Sequence, residues 1–170
     1  ENVLDSQTNI SCNSIAALHV SRYDPTRIYA GCGGSTSSEQ GYDWNVLNSG
    51  EWSGIMRSRD GGSTWKMIND FPTNYYVTAI FEVEPDIILV AAQSNLFDKN
   101  DGGIWRYDLL HQTLERVSNI PTFTLGAIAD VQKQNRILNS PVVVATHARN
   151  PVQSVSVTTD GGKSFQDYGK

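Results

Sequence analysis

Short apolar runs, each bounded by Gly, Pro, Asn, Asp or Ser, recur along the whole chain. Ala17-Leu18-His19-Val20, Ala79-Ile80-Phe81-Glu82-Val83 and Ala127-Ile128-Ala129-Asp130-Val131 each read as a short strand. Each is followed by turn residues and a second strand-sized run, at Arg27–Gly31, Ile87–Ala92 and Val142–Thr146. No segment carries the 3.6-residue period of an amphipathic helix. The longest apolar runs are strand-sized and far too short to span a bilayer as a helix.

Downstream of these pairs the sequence repeats itself. Gly54-Ile55-Met56-Arg57-Ser58 leads through Asp60-Gly61-Gly62 to Thr64-Trp65 and on to Phe71-Pro72. Forty-nine positions later, Gly103-Ile104-Trp105-Arg106 leads through Thr113-Leu114 to Ile120-Pro121 without a gap. A third copy, Thr158-Thr159-Asp160-Gly161-Gly162-Lys163-Ser164-Phe165, lies one hundred positions after the first. A fixed period of about fifty residues with four short strands per copy is the pattern of a β-propeller blade. The predicted fold is therefore all-β: four-stranded antiparallel blades in one segment, 1–170, with blades at about 14–72, 76–121 and 125–169. A closed propeller takes about four or more blades. Three imply a larger propeller, completed by further blades of the same chain or by self-association.

The motif inside the repeat is specific. Ser58-x-Asp60-x-Gly62-x-Thr64-Trp65 resembles the Asp box of the bacterial neuraminidase repeat propellers, and Thr158-x-Asp160-x-Gly162-x-Ser164-Phe165 is a conservative second copy. The middle repeat has lost the Asp-Gly-Gly turn and kept its flanking strands. The glycines permit positive φ, and the carboxylate accepts from turn amides while the hydroxyls brace it. Asp60 and Asp160 thus read as folding residues. The resemblance implies the same, since in that family these turns lie on the face opposite the ligand site.

In an up-and-down blade the first-to-second and third-to-fourth connections share one face. The other face is then built from Cys32–Ser53, Gln93–Gly102, His147–Ser154 and the links between blades. Cys32–Ser53 is the longest loop and carries Tyr42, Asp43, Trp44, Glu51 and Trp52. A loop beyond about twelve residues in a compact domain is usually functional. Tyr75, Tyr76, Phe97, Asp98, Lys99, Asp101, His147 and Arg149 join it. Aromatic faces beside carboxylates suit sugar rings, so Tyr42, Trp44, Trp52, Tyr75, Tyr76, His147 and Arg149 are the candidate ligand-binding residues. Trp44 and Trp52 equally suit a purely packing role.

A net charge of −5 without a basic stripe argues against a nucleic-acid partner. Asp98-Lys99-Asn100-Asp101-Gly102 lacks the alternation of an EF-hand and reads as a plain turn. The three histidines are scattered and no Cys/His pattern indicates a metal, so no metal or cofactor is expected. Asn9-Ile10-Ser11 is a glycosylation sequon. If the first hairpin centres near Arg22, Cys12 stands opposite Cys32, which predicts a disulfide and a secreted or lumenal protein. No leader is evident at Glu1.

Three functional classes remain open. The first is a non-catalytic module presenting loops to a glycan or protein, as the resemblance to sortilin-type propellers implies. The second is a glycoside hydrolase of sialidase or xyloglucanase type, with Asp43, Glu51, Asp98 or Asp101 as acid and base. The third is a structural or assembly subunit. The sialidase Arg-Ile-Pro signature is absent, and Arg57 and Arg106 recur at one strand position, as a structural pair would.

Overall fold

The computed structural model describes residues 15–32, 54–68, 70–72, 75–94, 102–118, 128–131, 142–149 and 152–168. Every regular element among them is a strand, and together they form three four-stranded antiparallel sheets. Sheet 1 runs β1 (Ile15–Val20), β2 (Ile28–Cys32), β3 (Gly54–Ser58), β4 (Lys66–Ile68). Sheet 2 runs β5 (Tyr75–Glu84), β6 (Ile87–Ser94), β7 (Gly102–Asp108), β8 (Thr113–Ser118). Sheet 3 runs β9 (Ile128–Val131), β10 (Val142–Arg149), β11 (Val152–Thr158), β12 (Gln166–Tyr168). Within each sheet the spatial order is the chain order, the expected meander.

Sheet 2 lies between the other two, and its sequence shows why. Ile88, Leu89, Val90, Ala91 and Ala92 on β6 are all buried, on both faces of the strand, so no polar residue alternates with them. One face packs on sheet 1: Ile80, Ile88, Val90 and Trp105 join Ala17, Tyr29, Ile55 and Phe71. The other packs toward sheet 3: Phe81, Val83, Leu89 and Ile104 cluster with Phe165. Each of the large apolar side chains contributes on the order of 1.5–3 kcal/mol by leaving water.

The first hairpin differs from the expected register. Val20 pairs with Ile28 and Ile15 pairs with Cys32, with a bulge between Ile15 and Ala17. The hairpin therefore centres on Asp24, two residues beyond Arg22, and β2 ends at Cys32 instead of Gly31. The cause is the Asp24-Pro25-Thr26 turn. The Asp24 carboxylate accepts from the Thr26 amide at 3.0 Å and hydroxyl at 2.6 Å, and the Arg27 amide donates to the Asp24 carbonyl at 2.9 Å. Proline fixes the turn at that position. Position 12 is thus not the register partner of position 32, and Cys12 itself lies outside the described residues.

In the middle sheet a different turn replaces the missing Asp-Gly-Gly sequence. One Asp108 carboxylate oxygen accepts from the amides of Leu110 and His111, both at 3.0 Å, and the other meets His111 Nδ1 at 2.8 Å. Gln112 takes the positive φ (54°) that closes it. The hairpin survives because a carboxylate still gathers the turn amides.

Candidate functional site

Each sheet has a turn end and a loop end. The β1–β2, β3–β4, β5–β6, β7–β8 and β11–β12 connections sit at the turn end. At the opposite, loop end β2, β6 and β10 finish and β3, β7 and β11 begin. Neighbouring sheets agree in this polarity. At the turn end Tyr23 donates to the Val83 carbonyl at 2.7 Å and Arg27 meets Asp86 at 2.9 Å, tying sheet 1 to sheet 2. Arg106 Nε donates to the Gly161 carbonyl at 3.2 Å, tying sheet 2 to sheet 3. That contact gives Arg106 a structural role.

The two aspartate turns are nearly superimposable in chemistry. One Asp60 oxygen accepts from the Ser58 hydroxyl (2.7 Å) and the Thr64 amide (2.8 Å), and the other from the Thr64 hydroxyl (2.6 Å). The Gly62 amide donates to Ser58 Oγ at 2.8 Å, and Trp65 Nε1 donates to the Gly62 carbonyl at 3.0 Å. In the second copy Asp160 accepts from the hydroxyls of Thr158 (2.8 Å) and Ser164 (2.6 Å) and the amides of Lys163 (3.0 Å) and Ser164 (3.1 Å). The Thr64 hydroxyl, then its amide and the Ser58 hydroxyl, hold the Asp60 carboxyl down at about 2. For Asp160 burial pushes upward, and the Ser164 and Thr158 donors with the Lys163 amide outweigh it, leaving about 2. A carboxylate so acidic, with its lone pairs committed to its own turn, is a poor general base and no proton donor at neutral pH.

A second polar centre occupies the seam between sheets 1 and 2. Glu82 on β5 is fully buried, and Oε1 accepts from the Tyr29 hydroxyl at 3.0 Å and the Asp86 amide at 3.3 Å. Oε2 has no hydrogen-bond partner among the described residues. His19 Nε2 accepts from the Glu82 amide at 3.2 Å, while its ring stacks 6.4 Å from Tyr29 and lies 5.2 Å from Phe81. Burial lowers the His19 pKa, against the raising pull of Glu82 and with the lowering push of Arg22. Burial and the Glu82 charge raise the Tyr29 hydroxyl well above its usual range. The Tyr29 phenol on the Glu82 carboxyl group and the His19 imidazole on the Glu82 amide thus tie two sheets together.

At the loop end, Tyr75 opens β5 and packs edge-on to Trp105, with centroids 4.8 Å apart at 61°. Phe71 closes the other side of Trp105 at 6.0 Å, and the Arg116 guanidinium lies 5.3 Å from the same ring. Tyr75 therefore works at least partly as packing. Tyr76 pairs with Gln93, His147 with Ser154 and Arg149 with Val152, which puts all three register positions near this end. Cys32 reaches it too, buried and not a free thiol. Tyr42, Asp43, Trp44, Glu51, Trp52, Asp98 and Asp101 lie outside the described residues, as does Asn9. Among the described residues no group of three His, Cys, Asp or Glu side chains is placed to hold a metal ion, and no helix is long and apolar enough to cross a membrane.

No protein-family model matches the sequence, and no curated protein matches it. Solved structures do, among them the crystal structure of a GH74 xyloglucanase from Xanthomonas campestris, at 18% identity and a TM-score of 0.50. The fold is propeller-like. That match covers 84% of this chain and 19% of the xyloglucanase, so the chain spans about a fifth of that enzyme's length. Sheets 1, 2 and 3 are called blades 1, 2 and 3 below, with β1, β5 and β9 as their first strands.

The seam of blades 1 and 2 was not anticipated from sequence. Its one signal is Glu82 itself, a charge within the otherwise apolar run Ala79–Val83. Its partner Tyr29 stands fifty-three residues away, and only the blade stacking brings them together.

Proposed function

We propose that this chain is an Asp-box β-propeller segment that binds a glycan or a protein through its loop end, without catalysis. One observation carries this reading. The carboxylates that the motif supplies, Asp60 and Asp160, spend their hydrogen-bonding capacity on their own turns, which leaves recognition to the opposite end. There the strand registers bring Tyr76, His147 and Arg149 to the same end as Tyr75, and the Cys32–Ser53 segment, with Tyr42, Trp44 and Trp52, is assigned to recognition with them. Blade limits of about 14–72, 76–121 and 125–169 belong to the same reading. So do a Cys12–Cys32 bridge, glycosylation at Asn9 and a secreted or lumenal location.

Likeness in fold to a xyloglucanase favours one second reading, a glycoside hydrolase using Asp43, Glu51, Asp98 or Asp101. The test is calorimetric titration of the chain with xyloglucan oligosaccharides, β-glucan oligosaccharides and sialosides, beside turnover assays on the same compounds. Binding without turnover, lost in Trp44→Ala or Trp52→Ala, supports the module. Turnover abolished by alanine at one of the four carboxylates replaces it with the hydrolase. Neither binding nor turnover sinks the glycan reading and leaves an assembly role, in which those tryptophans bury against another chain.

A further inference from the structure

His19 makes a contact between blades 1 and 2 that only one of its protonation states can make. β5 is the edge strand of blade 2, and the Glu82 amide donates to His19 Nε2 at 3.2 Å instead of to another strand. A backbone amide only donates, so Nε2 must hold its lone pair and the ring proton stands on Nδ1. An imidazolium carries a proton on both nitrogens and accepts from nothing. Proton uptake by His19 therefore removes this bond, whatever the field around the ring.

That field opposes proton uptake. His19 is half-buried, between Tyr29 of β2 and Phe81 of β5. Burial is the largest influence on its pKa and lowers it from the ordinary 6.5. Two charges face the ring: Glu82 from β5, which favours the imidazolium, and Arg22 from the β1–β2 turn, which disfavours it. Arg27 and Arg59 are drawn to Asp86 instead, at 2.9 and 3.9 Å. The pull of Glu82 is divided as well, since its Oε1 already accepts from the Tyr29 hydroxyl and the Asp86 amide.

The bond matters because β1 touches blade 2 with one face only. Ala17 and His19 face it, while Leu18 and Val20 face away, 66% and 50% exposed. The loop-end half of β1 is irregular, with its bulge between Ile15 and Ala17. In the regular turn-end half, His19 supplies a hydrogen bond to blade 2 where Ala17 supplies only apolar contact.

We propose that His19 is a proton-operated latch between blades 1 and 2: neutral, it holds β1 to β5 through the Glu82 amide, and protonated, it lets the turn-end half of β1 lift from blade 2. Folding lowers the pKa, so the latch is closed above pH 6.5 and opens as pH falls below it. The opening is local, because β6 is buried on both faces and keeps its bonds. This goes beyond the glycan- or protein-binding reading and does not depend on it, since it concerns the seam of the blades and not the loop end.

Nuclear magnetic resonance on the isotope-labelled 170-residue chain, from about pH 8 to about pH 5, tests it. At the upper end the imidazole nitrogen shifts should report the Nδ1–H tautomer, and the ring should titrate with a midpoint below 6.5. Hydrogen exchange of the Glu82 amide, corrected for its intrinsic pH dependence, should lose up to about tenfold in protection per pH unit below 6.5. The Leu89 amide on β6 should keep its protection over the same range. His19→Gln, whose side-chain carbonyl accepts without titrating, should make the Glu82 protection independent of pH. An Nε2–H tautomer, or a midpoint at or above 6.5, overturns the proposal from the unaltered chain alone. So does Glu82 protection that stays flat while His19 titrates. Loss in step with Leu89 overturns it as well, because that is acid unfolding of the whole chain. Equal loss in His19→Gln assigns the pH dependence to another group and overturns it too.

Discussion

Gly162 is the position at which the contact between blades 2 and 3 can be measured. It has φ of 81°, and a Cβ placed on it lies 2.3 Å from Leu89 Cδ2, 2.9 Å from Cδ1 and 3.0 Å from Cγ. Leu89 is fully buried, so its methyl groups have nowhere to retreat. Gly162→Ala therefore meets two costs: about 1–2 kcal/mol for an L-residue in the left-handed region, and about 1–3 kcal/mol for overpacking. Gly61 is the internal control. Its φ is 70°, and a Cβ there meets nothing within 4 Å, so Gly61→Ala should cost only the first, about 1–2 kcal/mol. Urea unfolding followed by far-UV circular dichroism gives both values. Leu89→Ala, itself costing about 2–5 kcal/mol, removes the obstructing methyls. In that background Gly162→Ala should fall to about the Gly61→Ala value, a coupling of roughly 1–3 kcal/mol. Equal costs at 61 and 162, or a coupling within about 0.5 kcal/mol of zero, refute the claim that the aspartate turn of blade 3 is wedged against blade 2.

Other outcomes follow from the polar contacts. Glu82→Leu should cost about 1–3 kcal/mol, because the Tyr29 hydroxyl and the Asp86 amide lose a buried acceptor, and adding Tyr29→Phe should recover part of it. Urea midpoints read both, and a neutral Glu82→Leu removes the seam's acceptor role. His19, whose pKa burial lowers, takes up its proton more readily when unfolded. Melting temperature should therefore fall as pH drops through 6.5, and His19→Gln should flatten that step. Asp60 and Asp160, held at about 2 against 3.8, contribute stability that is complete above pH 3.8 and lost as pH falls toward 2. Asp160→Asn should shrink that acid transition, and an unchanged transition counts against the turn carboxylates as its source. Thiol titration of the denatured, unreduced chain should find no reactive cysteine, and two reactive thiols exclude the Cys12–Cys32 bridge.

What the sequence makes legible here is what the chain settles locally. Ser58-x-Asp60-x-Gly62-x-Thr64-Trp65 specifies its turn because every donor and acceptor lies within a few residues. Strand positions followed for the same reason, since Gly, Pro and Asp punctuate them, but their limits did not: β5 starts at Tyr75 instead of Ala79, and β10 runs on to Arg149 instead of Thr146. The first hairpin shows where locality fails. A bulge at Ala16 and a proline turn centred two residues late shift the register, and period-two alternation cannot detect a displacement that keeps each strand's own faces consistent. The seam failed differently. Glu82 was visible as a misplaced charge, but its meaning depends on Tyr29 and His19 in another blade, and sequence spacing carries no information on stacking order. The loop end combines both difficulties. Its candidate residues within Cys32–Ser53, Trp44 and Trp52 among them, have no counterpart in the other repeats to constrain them. Blade repeats fix the backbone because each copy must solve the same packing problem, and they leave recognition to the insertions that differ between copies. The part of this chain easiest to read is therefore the part with the least freedom to recognise anything. The Cys32–Ser53 insertion, which no other repeat possesses, is where substitutions should alter binding while leaving the unfolding midpoint unchanged.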